Sequence, residues 1–342
     1  MNTIKFSVIG FGRIGKRHAK IIQEYEHSSL ISVTDNDAGQ FEGAEELNIE
    51  AKTYSSINAF LEQDRGESDV VNICTPNGFH TEYAVRLLNA GYHVVIEKPM
   101  GLTKEGCLDV IGAQEASGKR VFVVKQNRYS PPSVWMKSVV DEKRIGDVLM
   151  VQVNCYWNRD ERYYGNTSWR GTKDLDGGAL YTQFSHFVDL MYWVFGDVKD
   201  PKSVVKNFTH PELKDFDDSG FSQFEFVKGG IGSINYSTSC WDKNMESSIT
   251  VIGTKGSFKV GGQYMNEVEY CHIEDYELPL LEKTNPPNDY GPFKGSAANH
   301  HYVIENVVET LNGKSEATAN AFEGMKVVSI IEQIYNAAQK KE

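Results

Sequence analysis

The chain has 342 residues, enough for two domains of ordinary size. Its 35 Lys and Arg against 47 Asp and Glu leave a formal charge of −12 with no basic run, which argues against a nucleic-acid or anionic-membrane partner. No apolar stretch reaches the roughly 18 residues of a membrane helix. Met1-Asn2-Thr3 leads straight into a strand, and the five cysteines (Cys74, Cys107, Cys155, Cys240 and Cys271) never form a C-x-x-C pair. Neither a disulfide framework nor a structural zinc site is expected, and the chain reads as soluble and cytoplasmic.

Residues 4–9, Ile-Lys-Phe-Ser-Val-Ile, predict a short apolar strand, and Lys16 to Tyr25 a helix. Between them stands Gly10-Phe11-Gly12-Arg13-Ile14-Gly15, a G-x-G-x-x-G run in its required strand-to-helix context. Gly10 permits the tight turn, Gly12 lets the backbone approach a pyrophosphate, and Gly15 lets helix and strand pack closely. The helix N-terminus then faces the phosphates. The next strand, Leu30 to Thr34, ends in Asp35, 20 positions after Gly15. A carboxylate there accepts hydrogen bonds from the adenosine ribose and repels a 2′-phosphate. No Lys or Arg follows before Lys52, so the expected cofactor is NAD rather than NADP.

Strand and helix then alternate. Ser68–Cys74 predicts a strand, followed by the turn Thr75-Pro76-Asn77-Gly78 and a helix over His80–Ala90. Val94-Val95-Ile96 is a β-branched run of the kind buried on both faces of a parallel sheet, and it stops at Glu97-Lys98-Pro99. Thr103–Ser117 predicts another helix and Val121–Val124 another strand, with Lys125-Gln126-Asn127-Arg128 after it. Repeated units of this kind predict an α/β, doubly wound parallel sheet over residues 1–126, with Pro131-Pro132 marking the exit. Lys98 falls at the carboxyl edge of that sheet, where open α/β sheets bind ligands.

Residues 127–342 read as an α+β domain with an open, largely antiparallel sheet. Strands are expected over 148–157, 203–208, 220–226, 232–239, 248–252, 257–260 and 268–270. A single helix is expected over Leu180–Phe195, an irregular loop over 279–298, and helices over Asn299–Leu311 and Asn320–Gln339. The exposed face of such a sheet needs cover from helices or another subunit.

Between Asn154 and Gly178, Arg159, Arg162, Arg170 and Lys173 alternate with Tyr156, Trp157, Tyr163, Tyr164 and Trp169. Arginines among aromatics suit a small phosphorylated or carboxylated ligand with a ring to stack. His186 follows Gly177-Gly178, with Thr182 four positions before it on the same expected helix face. Removing hydride from a secondary alcohol requires the hydroxyl proton to leave as well. Lys98, desolvated and beside an oxidised nicotinamide, is the expected proton acceptor, with His186 as relay or orienting partner. His300 and His301 are adjacent, cannot share a helix face, and have no evident metal-ligand set; they read as structural or pocket-lining, and no metal is expected.

These residues fit a known pattern. Gly10 to Gly15, Thr75-Pro76-Asn77 with His80, Glu97-Lys98-Pro99, and Gly177-Gly178 with His186 together make the chain resemble the glucose–fructose oxidoreductase/inositol dehydrogenase (Gfo/Idh/MocA) family over nearly its full length. The resemblance implies a Rossmann domain and an α/β substrate domain whose open sheet commonly joins dimers or tetramers. It implies Lys98 and His186 as the catalytic pair, and Thr75, Pro76, Asn77, His80, Glu97, Gln126, Trp169 and Arg170 around the cofactor. Within the family the likeness is to members acting on the 3-hydroxyl of UDP-N-acetyl-2-amino-2-deoxyglucuronate in surface-polysaccharide synthesis, carried by 122–128, 163–164 to 169–172, 176–178, 185–186 with 189–190, 243–246, 248–250, 255–256 and 260–262. Arg128 and Arg159 are then expected at the substrate's anionic groups. Many members carry aspartate where this chain has Thr182, so a simple Asp–His relay is not expected here, and Thr182 is expected on the sugar. Other readings are a dehydrogenase of a free cyclic polyol or aldose, and a non-catalytic NAD-binding sensor.

Overall fold

A computed structural model of the chain describes all residues except 43, 45–46, 166–168, 214–215 and 340–342. Its backbone separates into two units, Met1–Lys125 with His300–Val328, and Gln126–Asn299 with Ser329–Glu342. Residues 300–328 return to the first unit because Val123 donates its N–H to the Ala319 carbonyl and Phe122 bridges Asn320.

The first unit contains β1 (Ile4–Ile9), α1 (Arg13–Glu24), β2 (Ser28–Thr34), β3 (Lys52–Tyr54), α2 (Ile57–Gln63), β4 (Val70–Ile73), α3 (His80–Asn89), β5 (His93–Ile96), α4 (Lys104–Ser117) and β6 (Val121–Val123). All six strands are parallel, in the order β3-β2-β1-β4-β5-β6. This is the doubly wound arrangement read from the sequence, and its switch point lies between β1 and β4. β4 is buried throughout and β5 over Val94–Ile96, as Val/Ile runs covered by helices on both faces must be. Local chemistry sets the helix ends: the Thr103 hydroxyl accepts the Gly106 N–H at the start of α4, and Gly118, at φ +65°, ends it.

The second unit begins with α5 (Pro131–Asp141), β7 (Val148–Tyr156), α6 (Glu161–Tyr164), α7 (Ala179–Thr182) and α8 (Ser185–Phe195). Strands β8 (Val198–Lys206), β9 (Ser219–Phe226), β10 (Ile231–Ser237), β11 (Glu246–Gly253), β12 (Gly256–Gly261) and β13 (Glu267–Ile273) follow, then the hairpin β14 (Pro287–Asp289) and β15 (Lys294–Ala297). Helix α9 (His300–Leu311) belongs to the first unit, and α10 (Ala321–Gln339) contributes residues to both. The large sheet runs β13-β12-β11-β7-β10-β9-β8. It is mixed: β7 and β10 pair in parallel, and the other neighbours are antiparallel. Its inner face packs α8 on β7 and α5 on β12. On the outer face Ile231, Met150 and Ile252 form one cross-strand row, 56%, 40% and 41% exposed.

One buried acid ties this unit together. Asp217 accepts the Tyr236 hydroxyl at 2.5 Å and the Tyr335 hydroxyl at 2.8 Å, and Tyr335 in turn accepts the Leu180 N–H. Gly178, at φ +120°, lies where a Cβ would stand 2.6 Å from the Tyr335 hydroxyl and 2.7 Å from Asp217. Burial raises the Asp217 pKa to about 6, the two tyrosine hydrogen bonds opposing it. An acid whose folded pKa is raised stabilises fully below its unfolded value near 4 and loses that contribution as pH rises through about 6. Asp217→Asn should therefore abolish a loss of about 3 kcal/mol in unfolding free energy between about pH 4 and pH 7, read from urea titrations of both proteins. Parallel pH profiles for wild type and variant would refute this.

Candidate active site

At the switch point the glycine turn is compressed to backbone contact. A Cβ on Gly10 (φ +89°) would lie 2.6 Å from the Cys74 carbonyl carbon, and one on Gly15 would lie 1.9 Å from the Gly10 oxygen. Gly12 differs: the nearest atom to its Cβ position is Gln40 Oε1 at 4.0 Å, which leaves the turn open on that side. Gly12 also starts α1 with no side-chain cap and no acidic residue in the first turn, so the helix amides are presented to an anion. Asp35 Oδ2 accepts the Phe11 N–H at 2.7 Å, and Oδ1 accepts the Asp37 N–H at 3.0 Å. The Phe11 ring is buried and stacked on Phe41, so Phe11 offers the site its backbone rather than its side chain. Arg13 is exposed and Ile14 half-buried. A dinucleotide fits these residues: an open cradle at Gly12, uncapped helix amides for the pyrophosphate, and a carboxylate at the end of β2 for the ribose.

The next two loops along the same sheet edge are joined through a histidine. His80, the buried first residue of α3, puts Nδ1 at 2.7 Å from the Pro99 carbonyl and Nε2 at 2.9 Å from the Thr75 carbonyl. Its ring lies between the Thr75-Pro76-Asn77 and Glu97-Lys98-Pro99 turns; burial lowers its pKa, and the neutral imidazole donates its single N–H to one of the two carbonyls while packing against the other. Thr75 Oγ1 is buried with no hydrogen-bond partner among the described residues, as a hydroxyl awaiting a ligand would be. Asn77 is buried and Lys98 half-buried. Glu97 is 6% exposed and turns inward. Its Oε1 lies 2.9 Å from His18 Nε2 and 3.6 Å from His300 Nε2, and its Oε2 accepts the Lys98 N–H at 3.0 Å. Burial alone would raise its pKa, but hydrogen bonds from the two imidazoles outweigh that and hold it well below the carboxylate range. His18 has no role in the sequence reading, and His300 is far from it in the chain. Only the return of α9 to the first unit brings the two to one carboxylate.

In the second unit Gln126 Nε2 lies 3.5 Å from His186 Nε2, and Gln126 Oε1 is buried with no hydrogen-bond partner among the described residues. His186 is 6% exposed at the start of α8. The expected continuous helix is broken: α7 ends at Thr182, α8 begins at Ser185, and Phe184 fills the break against Trp157 and Tyr236. Thr182 and His186 consequently belong to separate short helices, which removes the face-sharing argument. The Thr182 hydroxyl donates to the buried Asp176 carboxylate, whose pKa is raised by burial.

Both arginines expected at substrate anions are engaged inside the protein. Arg128 is fully buried and bidentate to Asp189, at 2.9 and 2.8 Å. Arg159 is 3% exposed, donates to Gln183, Asn158, Asn244 and Lys294, and is stacked among Trp157, Tyr163 and Phe293. Asp189 neutralises Arg128, whereas the partners of Arg159 are neutral oxygens that occupy its N–H groups without compensating its charge. Arg170 differs. It lies 4.1 Å over Tyr163 and 5.5 Å over Trp169, and its Nε is buried with no acceptor among the described residues. A cleft of about 850 Å³ in this unit, rimmed by the exposed Trp241, carries Asp160, Glu161, Glu212 and Asp242 against Arg159 and Arg162, both already engaged. Its charge does not suit an anionic ligand. Lys98 and His186, the expected catalytic pair, are contributed by different units.

Two family profiles cover most of the chain: "Oxidoreductase family, NAD-binding Rossmann fold" over residues 4–125, and "Oxidoreductase family, C-terminal alpha/beta domain" over 137–342. Among solved structures, the WlbA dehydrogenase from Bordetella pertussis in complex with NADH and UDP-GlcNAcA is 30% identical, with a TM-score of 0.87 over 99% of this chain and 97% of that one. The WlbA enzyme of Chromobacterium violaceum, in complex with the same two ligands, is also 30% identical, with a TM-score of 0.88 over 99% of this chain and 94% of that one. The inositol 2-dehydrogenase/D-chiro-inositol 3-dehydrogenase of Halalkalibacterium halodurans is 29% identical over 220 residues, spanning 62% of this chain and 60% of that protein.

Because a side chain on Gly15 would strike the Gly10 carbonyl, Gly15→Ala should open the turn. NADH affinity should fall at least about tenfold, a loss on the order of 1.4 kcal/mol, read by fluorescence titration. Unchanged affinity would mean that the dinucleotide does not use this turn.

Proposed function

The chain belongs to the Gfo/Idh/MocA oxidoreductase family, and from that premise we propose that it oxidises a sugar hydroxyl to a ketone with NAD. The proposed substrate is a nucleotide-linked sugar acid of the UDP-N-acetyl-2-amino-2-deoxyglucuronate class, oxidised at its 3-hydroxyl, and the proposed setting is cytoplasmic synthesis of surface polysaccharide. The observation that carries the reading is the joining of two turns through His80. It brings Lys98-Pro99 beside the Thr75 turn, whose buried hydroxyl, without a partner among the described residues, supports a ligand at this edge of the sheet.

Gly10, Gly12, Ile14 and Asp35 would hold the adenosine diphosphate half, and Thr75 and Asn77 the nicotinamide side. Bound NAD supplies a hydride acceptor. As the carbon–hydrogen bond breaks with both its electrons, the neutral Lys98 amine takes the hydroxyl proton, and the carbonyl forms between carbon and oxygen. In the second unit His186 has Gln126 beside it, and Gln126 Oε1, buried with no hydrogen-bond partner among the described residues, is an acceptor suited to a sugar N–H or O–H. The buried Nε–H of Arg170, with no acceptor among the described residues, is a donor suited to an anionic group. The UDP-sugar class is favoured by the likeness to two WlbA dehydrogenases over 99% of this chain. Inositol dehydrogenase relatives favour a free polyol instead.

Lys98→Ala should lower kcat by about a hundredfold or more with NADH binding retained, and an unaltered kcat would remove the base assignment. A panel of UDP-sugars, UDP-sugar acids and inositols followed at the NADH absorbance band separates the substrate classes. Inhibition by UDP is expected, and indifference to it together with inositol turnover would favour the free polyol. The outer row of Ile231, Met150 and Ile252 supports a homodimer or homotetramer through the large sheet. Met150→Lys should then lower the mass in light scattering, and a wild type already monomeric would dispose of the assembly.

A further inference from the structure

We propose that His18 and His300 are positioning residues, two buried imidazoles that clamp the Glu97 carboxylate and through it fix the peptide that carries Lys98. The inference rests on the reading of Lys98 as the proton acceptor.

The cluster draws on three elements of the first unit: His18 from α1, Glu97 from the end of β5, and His300 from the start of α9. All are nearly inaccessible, at 1%, 6% and 3% exposure. Asn72 Nδ2 donates to His18 Nδ1 at 2.8 Å. That nitrogen is therefore the acceptor of the ring, and the proton sits on Nε2, aimed at Glu97 Oε1. The second carboxylate oxygen accepts the N–H of Lys98. One oxygen thus faces the histidines while the other holds the lysine's own peptide. A buried carboxylate stripped of its donors is left as an uncompensated charge, and it responds by taking a proton or by turning away. Turning away removes the acceptor from the Lys98 N–H, and protonation weakens it by taking away the negative charge, so either response loosens the peptide from which the side chain projects. Displacement of a reacting group by about an ångström costs on the order of a hundredfold in rate.

The charged and titratable groups around the cluster come from every neighbouring element. Arg17 on α1 acts on His300, Cys74 after β4 and His80 on α3 lie within the influence of Glu97, and Lys98 acts on His80. Burial holds the His300 pKa down, so this ring stays neutral at physiological pH. The three donor atoms lie within 4.8 Å of one another, which is also compatible with a divalent cation. The hydrogen bond from Asn72 argues otherwise, because it leaves His18 with a proton rather than a lone pair toward Glu97.

The test uses the full-length protein with NAD and UDP-GlcNAcA, or whichever sugar the substrate panel identifies. His18→Ala and His300→Ala should each lower kcat by about tenfold to a hundredfold. NADH affinity should change by less than about threefold, and the pH of half-maximal kcat should move by about half a unit or more. His18→Gln, whose amide can still donate to Glu97, should recover most of kcat and the wild-type pH profile. An alanine variant with wild-type kcat per folded molecule and an unshifted profile overturns the proposal, as does failure of His18→Gln to outperform His18→Ala. Should the alanine variants not fold, the comparison of His18→Gln with His300→Gln decides it on the same readouts. Lys98→Ala is measured in parallel. If it stays active, the reading of Lys98 has failed. If it is inactive while the histidine variants behave as wild type, the clamp alone has failed. Wild-type protein titrated with zinc alone should show no stoichiometric binding; one zinc per chain, lost in His18→Ala, would make the cluster a metal centre and overturn the clamp.

Discussion

A carboxylate buried in a parallel-sheet domain is costly unless donors surround it, and Glu97 is surrounded. Its position explains why the surrounding elements lie where they do. β5 must end abruptly for Glu97 to turn inward, and Pro99 enforces that end by refusing to extend the ladder. Helix α1 must run close enough to bring His18 to the carboxylate, and the same close approach requires glycine at position 15. Helix α9 must come back to the first unit to deliver His300. The glycine turn, the lysine turn and the C-terminal return are thus parts of one packing solution around one charge. His80 adds the transverse link by lying between the Thr75 and Pro99 carbonyls.

In the second unit the same physics acts with the opposite sign of charge. Arg128 and Arg159 are among its most deeply buried side chains, each satisfied by partners within the unit. Arginine between aromatic rings is ambiguous in sequence, since stacking stabilises a structural guanidinium as well as one waiting for a ligand. Burial resolves the ambiguity. Arg159 is nearly inaccessible and each of its nitrogens has a partner, whereas Arg170 keeps a buried N–H with no acceptor among the described residues.

Features encoded within a short stretch were legible, and features that depend on distant partners were not. Five of the six parallel strands, the glycine turn and the Asp35 carboxylate follow from local pattern, and the structure has them; the three-residue edge strand β3 is too short for its alternation to show in the sequence. Pro131-Pro132 read as a domain exit, yet these prolines open α5, because the first helical turn needs no N–H from them. Parallel pairing of β7 with β10 cannot be read from strands separated by three helices and two other strands. The pairing of Arg128 with Asp189 spans 61 positions, and the meeting of His18 with His300 spans most of the chain. No periodicity carries such information. The break between α7 and α8 was hidden for another reason: the sequence over 180–195 is apolar enough to be a helix throughout, and only the packing of Phe184 interrupts it.

That break changes how the departure at Thr182 is understood. Aspartate is common at this position in the family, and its replacement by threonine looked like the loss of a carboxylate near the histidine. The structure returns one from another direction. Asp176, preceding Gly177-Gly178, accepts the Thr182 hydroxyl and the Gly171 N–H, and burial raises its pKa. A carboxylate on the helix itself would be charged and would act directly on its neighbours. One that reaches the helix only through a hydroxyl polarises that hydroxyl and leaves its oxygen as an acceptor. The tight Gly177-Gly178 turn makes this possible: residues at φ +86° and +120° bend the chain so that Asp176 and Thr182, six positions apart, face each other. The glycine pair is therefore needed for the geometry of the acid as well as for room beside Tyr335.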